Sequence, residues 1–99
     1  MNSIASIALS GMNAASLGLA SAAHNVANLQ TPGFRRQLTV QEALPEGGVA
    51  ADVTQATVAG DALAEDVVQQ MSAAYSFKAN LMTLRTHDQM LGSLLDLQA

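Results

Sequence analysis

The chain has 99 residues and a net charge of −4; 49% of its residues are hydrophobic, 3% are aromatic and none is cysteine. This length allows a single domain, and the shortage of aromatic side chains limits the core that the domain can build. Four scattered basic residues do not form the basic face that nucleic-acid binding requires, and without cysteine the chain forms no disulfide and no cysteine-ligated metal site.

The N-terminal segment contains no charged side chain from Met1 to Phe34. It is rich in alanine and has no proline before Pro32, so residues 3–29 are predicted to form one long helix. A signal peptide is not favoured, because Met1–Ser10 contains no lysine or arginine. A membrane span is not favoured either, because polar residues interrupt the apolar run. These residues are Ser10, Asn13, Ser16, Ser21, His24 and Asn25.

Two rows of side chains with helical spacing follow this predicted helix. One row is apolar and comprises Leu9, Met12, Leu19, Ala23 and Val26. The neighbouring row holds only alanine and glycine and comprises Ala8, Gly11, Ala15, Gly18 and Ala22. Glycine weakens an isolated helix by about 1 kcal/mol relative to alanine. The row of small residues therefore indicates that a second helix packs very close to this face.

The predicted helix ends at the sequence Thr31-Pro32-Gly33. Proline disfavours a helical conformation at the residue before it, and Gly33 is predicted to adopt a positive φ in a turn. From this point the side chains alternate between apolar and polar, as in a half-buried strand. The apolar residues of this strand, predicted to face inward, are Phe34, Leu38 and Val40.

A loop signal, Pro45–Gly48, follows this strand. A second alternating run then begins, in which the apolar residues are Val49, Ala51 and Val53. Residues 34–58 are therefore predicted to form a small β-hairpin. Because a lone hairpin is only marginally stable in water, this one is expected to lean on a helix or on another subunit.

The C-terminal segment is predicted to form a helix over residues 61–97, with Asp61 as its N-cap. Ten positions at heptad spacing form a seam, and eight of them are apolar. These positions are Leu63, Val67, Gln70, Ala74, Phe77, Leu81, Leu84, Asp88, Leu91 and Leu95. A second apolar stripe beside the seam comprises Val68, Met71, Tyr75, Met82 and Met90. One partner helix covers only one of these two stripes, so the pattern favours assembly with further helices.

No combination of polar residues in the sequence forms a recognisable catalytic or metal site. His87 and Asp88 are adjacent on a helix and therefore point about 100° apart. The two histidines and the scattered carboxylates lack the spacing of known metal motifs. The remaining candidates are interpreted as ordinary helix-face or loop residues: His24, Tyr75, Ser10 and Thr31. The sequence predicts no enzymatic activity, no metal and no cofactor.

Two motifs in the chain resemble those of the flagellar axial proteins of bacteria, which are the rod, hook and hook-associated subunits. The N-terminal motif of that family is a Gly-Met helix, then Asn-[Ile/Val]-Ala-Asn, then Thr-Pro-Gly-[Phe/Tyr] and a basic residue. The residues that match it are Gly11, Met12, Asn25, Val26, Ala27, Asn28, Thr31, Pro32, Gly33, Phe34 and Arg35. The C-terminal helix is similar to the partner motif at Asp66-Val67-Val68, Met71, Tyr75, Ala79-Asn80 and Met90–Leu95.

The resemblance implies a mainly α fold, in agreement with the residue pattern: long N- and C-terminal helices packed as an antiparallel coiled-coil hairpin, with a short β-hairpin between them. It implies a structural subunit of the flagellar basal-body rod, most like a small proximal rod subunit, whose terminal helices assemble into a tubular helical polymer. The implied partners are further copies, other axial subunits and the flagellar export apparatus, with no nucleic acid and no small-molecule substrate. The implied location is the periplasm-spanning rod, reached without a cleaved signal peptide.

The sequence differs from most of this family in the segment between the two motifs. Only Leu38–Gly60 separates them, whereas hook and distal-rod subunits carry large central domains. An alternative function is a small soluble adaptor or regulatory module whose coiled-coil seam forms a closed homo-oligomer. The adaptor predicts a closed dimer or tetramer that melts cooperatively. The rod subunit predicts a weakly structured monomer or polydisperse aggregates.

Overall fold

The computed structural model describes residues 3–98. Its elements are, in chain order, helix α1 (Ile4–Ala27), strand β1 (Gln37–Ala43), strand β2 (Val49–Gln55) and helix α2 (Leu63–Gln98). The predicted fold class is confirmed, because two long helices pack against each other with an antiparallel β-hairpin between them. The strands are shorter than the predicted hairpin over residues 34–58, since its outer residues are connecting segments.

Helix α1 has a side-chain cap at each end. The Ser3 hydroxyl accepts a hydrogen bond from the Ser6 amide at 3.1 Å, which satisfies one of the free N–H groups of the first turn. At the other end Asn28 is the C-cap, and its side-chain amide donates to the His24 carbonyl at 2.9 Å. The helix therefore begins one residue later and ends two residues earlier than predicted.

Helix α2 begins at Leu63, two residues after the predicted start. Its first backbone hydrogen bond runs from the Asp66 amide to the Ala62 carbonyl at 2.9 Å. Ala62 therefore occupies the cap position, and the prediction that Asp61 is the N-cap is wrong. Asp66 lies in the first turn of α2, where a negative charge interacts favourably with the helix dipole.

The two helices run antiparallel and keep one register along their length. The contacting pairs, spaced seven residues apart on each helix, are Asn25–Asp66, Gly18–Ala73 and Gly11–Asn80. Such a seven-residue repeat is typical of coiled coils. The members of the small-residue row that are buried are Ala8, Ala15, Gly18 and Ala22. The predicted small-residue face of α1 is therefore the face that packs on α2.

Of the two glycines that face α2, Gly11 has the tighter contact. A Cβ atom placed there would lie 2.6 Å from Oδ1 of Asn80, well inside van der Waals contact. At Gly18 the nearest atom to such a Cβ would be Nε2 of Gln69 at 3.5 Å, which is an ordinary contact. Close packing against a second helix is therefore confirmed, and a side chain at Gly11 would require the Asn80 side chain to move.

The face of α2 that packs on α1 is smaller and more polar than the predicted seam. One row of buried and half-buried positions on this face advances in steps of four and three. It comprises Asp66, Gln70, Ala73, Phe77, Asn80, Leu84 and His87, and is called the α2 contact row. The half-buried Ala74 and Leu81 lie beside it. Apart from Phe77 and Leu84, the α2 contact row consists of alanine and polar residues. Most of the large apolar residues of α2 therefore lie outside the helix contact.

The core of the protein is built from alanine. In the described part of the chain, the buried apolar residues are Ala8, Ala14, Ala15, Ala22 and Ala73. The molecule measures 63 × 25 × 14 Å and has an accessible surface of 6905 Å². A compact chain of this mass would expose roughly 5,300 Å². The helix pair therefore leaves much more surface in solvent than a self-contained domain does.

The hairpin lies lengthwise on α1 and is fixed to it at both ends. At the base, Oδ1 of Asn25 accepts a hydrogen bond from the Gln37 amide at 2.7 Å. At the tip, the Ser10 hydroxyl accepts one from the Val49 amide at 3.1 Å. The lengths agree, because fifteen residues of helix and seven residues of strand each span about 23 Å.

The prediction that Leu38 and Val40 of β1 face inward is wrong. Leu38 and Val40 are 39% and 53% exposed, whereas Gln37 and Thr39 are half-buried. The strand register explains this, because it pairs Thr39 with Val53 on the face that lies against α1. The apolar residues of β2 and the hydrogen bonds to Gln37 thus fix which side of the hairpin packs on α1, and β1 presents polar residues to the helix.

Of the described helices, α1 alone is long and apolar enough to cross a membrane. The buried helix of a soluble protein meets the same criterion, and so does a signal sequence near an N-terminus. In this fold 28% of the apolar window of α1 is buried inside the chain. Length and hydropathy alone therefore assign no location to the protein.

Replacing glycine by alanine should have opposite effects at the two helix-contact positions. Gly18→Ala should raise the free energy of unfolding by about 0.5–1 kcal/mol, because alanine favours the helix and its Cβ meets only ordinary contacts. Gly11→Ala should lower it, because the Asn80 side chain must move and lose its hydrogen bond to the Ser76 carbonyl. Urea unfolding followed by circular dichroism measures both changes.

The control for this comparison is the same Gly11→Ala change in an Asn80→Ala background. With the Asn80 side chain removed, Gly11→Ala should raise the free energy of unfolding, because alanine favours the helix. Equal stabilisation by Gly11→Ala and Gly18→Ala in the otherwise unchanged chain would contradict the close approach at Gly11.

Candidate functional site

A buried polar cluster joins three parts of the chain where α1 ends and α2 begins. It consists of Asn25 on α1, Arg36 and Gln37 at the start of β1, and Asp66 on α2, and is called the polar latch. Asn25 and Asp66 are only 3% and 2% exposed. Burying such groups destabilises a fold unless they are hydrogen-bonded, so their partners explain why the structure tolerates them.

Asn25 lies at the centre of the polar latch. Its Oδ1 accepts from the Gln37 amide at 2.7 Å, and its Nδ2 donates to the Gln37 carbonyl at 2.9 Å. The same Nδ2 donates to Oδ1 of Asp66 at 3.2 Å. The Asn25 side chain thereby pairs with the N–H and C=O groups of Gln37 as a neighbouring strand would. It also donates a hydrogen bond to the Asp66 carboxylate on α2.

The charge of Asp66 is balanced by Arg36. Nη2 of Arg36 donates to Oδ1 of Asp66 at 2.5 Å, and Nε donates to Oδ2 at 3.3 Å. This bidentate geometry is the strong form of an arginine–carboxylate pair. Nη1 also lies 3.7 Å from Oε2 of Glu65, whose side chain is exposed and therefore contributes little.

The hydrogen bond to Asp66 raises the pKa of the Arg36 guanidinium, and burial acts in the opposite direction. Because folding raises the pKa of this cation, its charged form stabilises the folded chain. This stabilisation is fully present at pH values below the ordinary arginine pKa. That stability is lost only as the pH rises through the raised value. The arginine side of the ion pair therefore stays charged throughout the physiological pH range.

The polar groups of the polar latch are hydrogen-bonded within the fold. In the described part of the chain, every buried side-chain nitrogen and oxygen has a hydrogen-bond partner. A cleft of about 220 Å³ opens beside the polar latch, with Gly18, Thr39 and Gln69 in its wall. Because the latch groups are already bonded to one another, their arrangement fixes the start of α2 against the end of α1.

The segment between α1 and β1 is a folded turn formed by motif residues. The Thr31 amide and hydroxyl donate to the carbonyl and side-chain oxygen of Asn28 at 3.0 and 3.2 Å. Pro32 and Gly33 occupy the central positions of the next turn, which the Phe34 amide closes 3.3 Å from the Thr31 carbonyl. Gly33 has a φ of 72°, which a type II turn requires at this position. Its predicted positive φ is confirmed.

Phe34 connects this turn to α1 and to the segment before α2. Its ring meets the His24 ring edge-on, with the centroids 5.4 Å apart. Its carbonyl accepts a hydrogen bond from the Gly60 amide at 3.2 Å, just before α2 begins. The aromatic residue that follows Thr-Pro-Gly therefore positions the connections at this end of the helix pair.

The other motif residues are spread along the molecule. Gly11 lies in the helix contact, Met12 and Val26 are half-buried, and Ala27 is exposed. Arg35 is exposed, and its guanidinium donates to Oε1 of Gln55 at 2.9 Å.

The predicted seam residues lie partly inside and partly outside the helix contact. Four of them are half-buried: Ala74, Phe77, Leu81 and Leu84. Three are exposed: Val67 by 40%, Leu91 by 47% and Leu95 by 69%. The structure brings Asn25 into the polar latch and residues 28–34 into the turn, but it leaves this part of the seam in solvent.

Sequence reasoning missed the roles of Arg36 and Asp66. The motif includes Arg35, and nothing in the local pattern distinguishes it from the arginine that follows. A weak signal was available for Asn25, which continues the row of small residues one helical step beyond Ala22. A polar residue at the end of a tightly packed row indicates a buried partner.

The other chemical candidates form no site. Within residues 3–98, no group of three or more histidine, aspartate and glutamate side chains could hold a metal ion. His87 ends the α2 contact row, whereas Asp88 and Tyr75 are exposed. The Ser10 hydroxyl donates to the Ile7 carbonyl at 2.7 Å and accepts from the hairpin, so its interactions are structural.

Comparison with models of known protein families gives no match for this chain, and comparison with curated proteins gives none either. The likeness of its two motifs to flagellar axial proteins therefore stays a hypothesis.

The two adjacent arginines should differ strongly in their contribution to stability. Arg36→Ala should lower the free energy of unfolding by about 2–4 kcal/mol, because it leaves the buried Asp66 carboxylate without its cation. Arg35→Ala removes an exposed hydrogen bond and should change stability by less than about 0.5 kcal/mol. Urea unfolding of both variants measures the difference, and similar losses would contradict the polar latch as the main polar contact.

Proposed function

We propose that this protein is a structural subunit of the bacterial flagellar axis, most like a proximal rod subunit. It has no catalytic activity in this proposal. It passes through the flagellar export apparatus without a cleaved signal peptide. In the basal-body rod it contacts further copies of itself and other axial subunits, and its terminal helices form part of a tubular helical polymer.

The observation that carries this proposal is the exposure of large apolar side chains on both helices. On α2 the exposed stripe, called the α2 outer stripe, comprises Val68, Met71, Tyr75, Met82 and Met90, each more than 60% exposed. On α1 the exposed apolar residues include Ile4, Ile7, Leu9 and Leu19. Soluble monomers rarely expose extended apolar surface, so this pattern supports contacts with neighbouring subunits.

The position of these surfaces favours a polymer over a closed oligomer. The helices contact each other through small residues near Gly11 and Gly18, and most of their large apolar side chains lie outside that contact. Each helix thus offers an apolar surface to a neighbour of its own. Contacts between different surfaces are heterologous, and such contacts propagate into open helical assemblies when they do not close into a ring.

The motif residues support the proposal in a second way. Asn25 and the turn from Asn28 to Phe34 hold the two terminal helices in one antiparallel register. A helical polymer requires every copy to present the same surfaces at the same spacing. A motif that fixes the relative position of the terminal helices meets this requirement.

The small size of the β-hairpin agrees with a thin part of the axis. The hairpin lies along α1, between Ser10 and Asn25, and does not form a domain of its own. The chain therefore contributes mainly a pair of helices to an assembly. This supports a proximal rod position over the thicker distal rod or the hook.

The proposal is tested by locating the protein in isolated basal bodies. In a flagellated host that encodes it, an epitope-tagged copy should co-purify with hook–basal bodies, and deletion of the gene should abolish rod completion and motility. Rod, hook and export genes are expected beside it. A tagged protein that stays in a soluble closed dimer or tetramer, with motility unaffected by the deletion, would contradict the proposal and favour the adaptor.

A charged substitution in the α2 outer stripe makes this test specific. Met71→Asp should reduce incorporation into basal bodies at least tenfold, because it places a charge in an apolar subunit contact. It should leave the circular dichroism spectrum unchanged, since Met71 is 68% exposed in the chain. The matched control is Gln41→Asp at an exposed position of the hairpin, which should incorporate normally.

A further inference from the structure

Charge is unevenly distributed over the surface of the protein. Helix α1 carries no acidic, lysine or arginine side chain, and in the whole chain the acidic residues outnumber the basic ones by eight to four. The middle of α2 is different, because residues 67–87 contain Lys78 and Arg85 but no acidic residue. Both cations are exposed, and within residues 3–98 neither side chain forms an ion pair or a hydrogen bond. This part of α2 is therefore a basic surface on an acidic protein.

The two cations lie along one border of the α2 outer stripe. Lys78 follows Tyr75 by three residues and Arg85 follows Met82 by three, and residues at this spacing are neighbours on a helix surface. Along the helix axis Lys78 and Arg85 are about 10 Å apart. Tyr75 lies about 200° around the helix from Ala73 of the α2 contact row. The outer stripe and its two cations therefore face away from α1.

The β-hairpin has a surface of the opposite charge on its side away from α1. Side chains alternate along a strand, so this surface consists of the residues that do not share the side of Thr39 and Val53. They are Leu38, Val40, Glu42, Ala50, Asp52 and Thr54, and are called the hairpin outer face. All of them are exposed, and a shallow hollow of about 260 Å³ lies along the face.

The two acidic residues of the hairpin outer face have no cationic partner within the described part of the chain. Glu42 forms no ion pair, and Oδ1 of Asp52 accepts only from the adjacent Val53 amide at 2.8 Å. Asp52 lies opposite Val40, and Glu42 is two residues farther along β1. Such diagonal neighbours are about 8 Å apart. This separation is close to that of the two cations on α2, and long side chains reach over the difference.

We propose that the hairpin outer face of one copy packs on the α2 outer stripe of the next copy, with Lys78 beside Asp52 and Arg85 beside Glu42. The occupant of each surface is thus the other surface of the same protein. The proposal deepens the proposed function and rests on it for the common direction of the copies.

The direction of the elements gives this pairing its order. Both β1 and α2 start at the polar latch and run toward the level of the hairpin tip. In this direction Lys78 comes before Arg85, and Asp52 comes before Glu42. In a polymer whose copies all point the same way, the two pairs therefore meet in matching order.

The contact joins two different surfaces and leaves one of each kind free at the ends of a row. In one chain the strands pack on α1 and not on α2, so the two surfaces are available to neighbours. Two hairpin outer faces would repel each other, and so would two basic stripes, which disfavours a closed two-fold dimer through either surface. Heterologous contacts of this kind propagate. Exposed ion pairs add little affinity, so the charges select the partner surface while Val40 and Met82 supply apolar burial.

Charge reversal tests the pairing. The hairpin variant carries Glu42→Lys and Asp52→Lys, and the helix variant carries Lys78→Glu and Arg85→Glu. Each alone should self-associate at least tenfold more weakly than the wild-type chain in sedimentation velocity at low salt, because like charges then meet. An equal mixture should regain association, since each variant offers the other a complementary surface. A mixture that stays monomeric, variants that associate like wild type, or a wild-type chain that is monomeric at 1 mM would overturn the contact.

The control for net charge is the double variant Asp61→Lys and Asp88→Lys. It makes the same change in net charge as the hairpin variant, at exposed positions outside both surfaces. It should associate as the wild-type chain does, and all variants should keep the circular dichroism spectrum of the wild type. Loss of association in this control would overturn the specific pairing.

Cysteine cross-linking locates the contact, because the chain contains no cysteine of its own. Ala50→Cys places a thiol on the hairpin outer face, and Met82→Cys places one on the α2 outer stripe. Mild oxidation of an equal mixture at 100 μM, with one variant carrying a size tag, should give at least tenfold more mixed dimer than either like dimer. Asp88→Cys mixed with Ala50→Cys should give only the statistical ratio. Statistical or preferentially like-with-like linking of Ala50→Cys and Met82→Cys would overturn the contact.

The contact and the rod proposal fail separately. Statistical cross-linking in a protein that is found in basal bodies would overturn the contact and leave the rod proposal standing. Selective mixed cross-linking in a protein that is absent from basal bodies would overturn the rod proposal and leave the contact standing.

Discussion

The fold depends on one buried carboxylate. Asp66 is 2% exposed at the start of α2, and it is held there by the guanidinium of Arg36 and the side-chain amide of Asn25. Removing one partner of a buried ion pair typically costs about 3–5 kcal/mol. The alanine core offers little hydrophobic stabilisation by comparison, because its side chains are small. The polar latch therefore fixes the relation between the two helices and the connection that joins them.

A second constraint follows from the close helix contact. The contacting faces are formed largely by glycine, alanine and polar residues, and most of the large apolar residues lie on the outside. Their hydrophobic stabilisation is realised only when another molecule covers them. The chain thus combines a buried polar latch with exposed apolar surfaces. This combination suits a subunit whose structure is completed by assembly.

Local patterns predicted the helices, the positive φ of Gly33 and the small-residue face of α1. Each of these depends on backbone preferences or on helical periodicity within one segment. The inward face of β1 was not predictable from its own residues, because the register with Val53 and the bonds to Gln37 decide it. The polar latch was missed for the same reason: Arg36 and Asp66 are distant in sequence, and no local pattern distinguishes Arg36 from Arg35.

The central claim is that the polar latch holds a helix pair that is incomplete without neighbouring subunits. Hydrogen exchange tests this claim most directly when it is measured on the monomer, at a concentration far below any at which the chain self-associates. If the polar latch holds an otherwise incomplete helix pair, protection should be greatest for the Gln37 amide and the turns of α2 just after Asp66. Protection should fall steadily toward Leu84 and Leu91. Strong protection of Leu81, Leu84 and Leu91 in the monomer would contradict this account, because the helix pair would then be complete without neighbouring subunits.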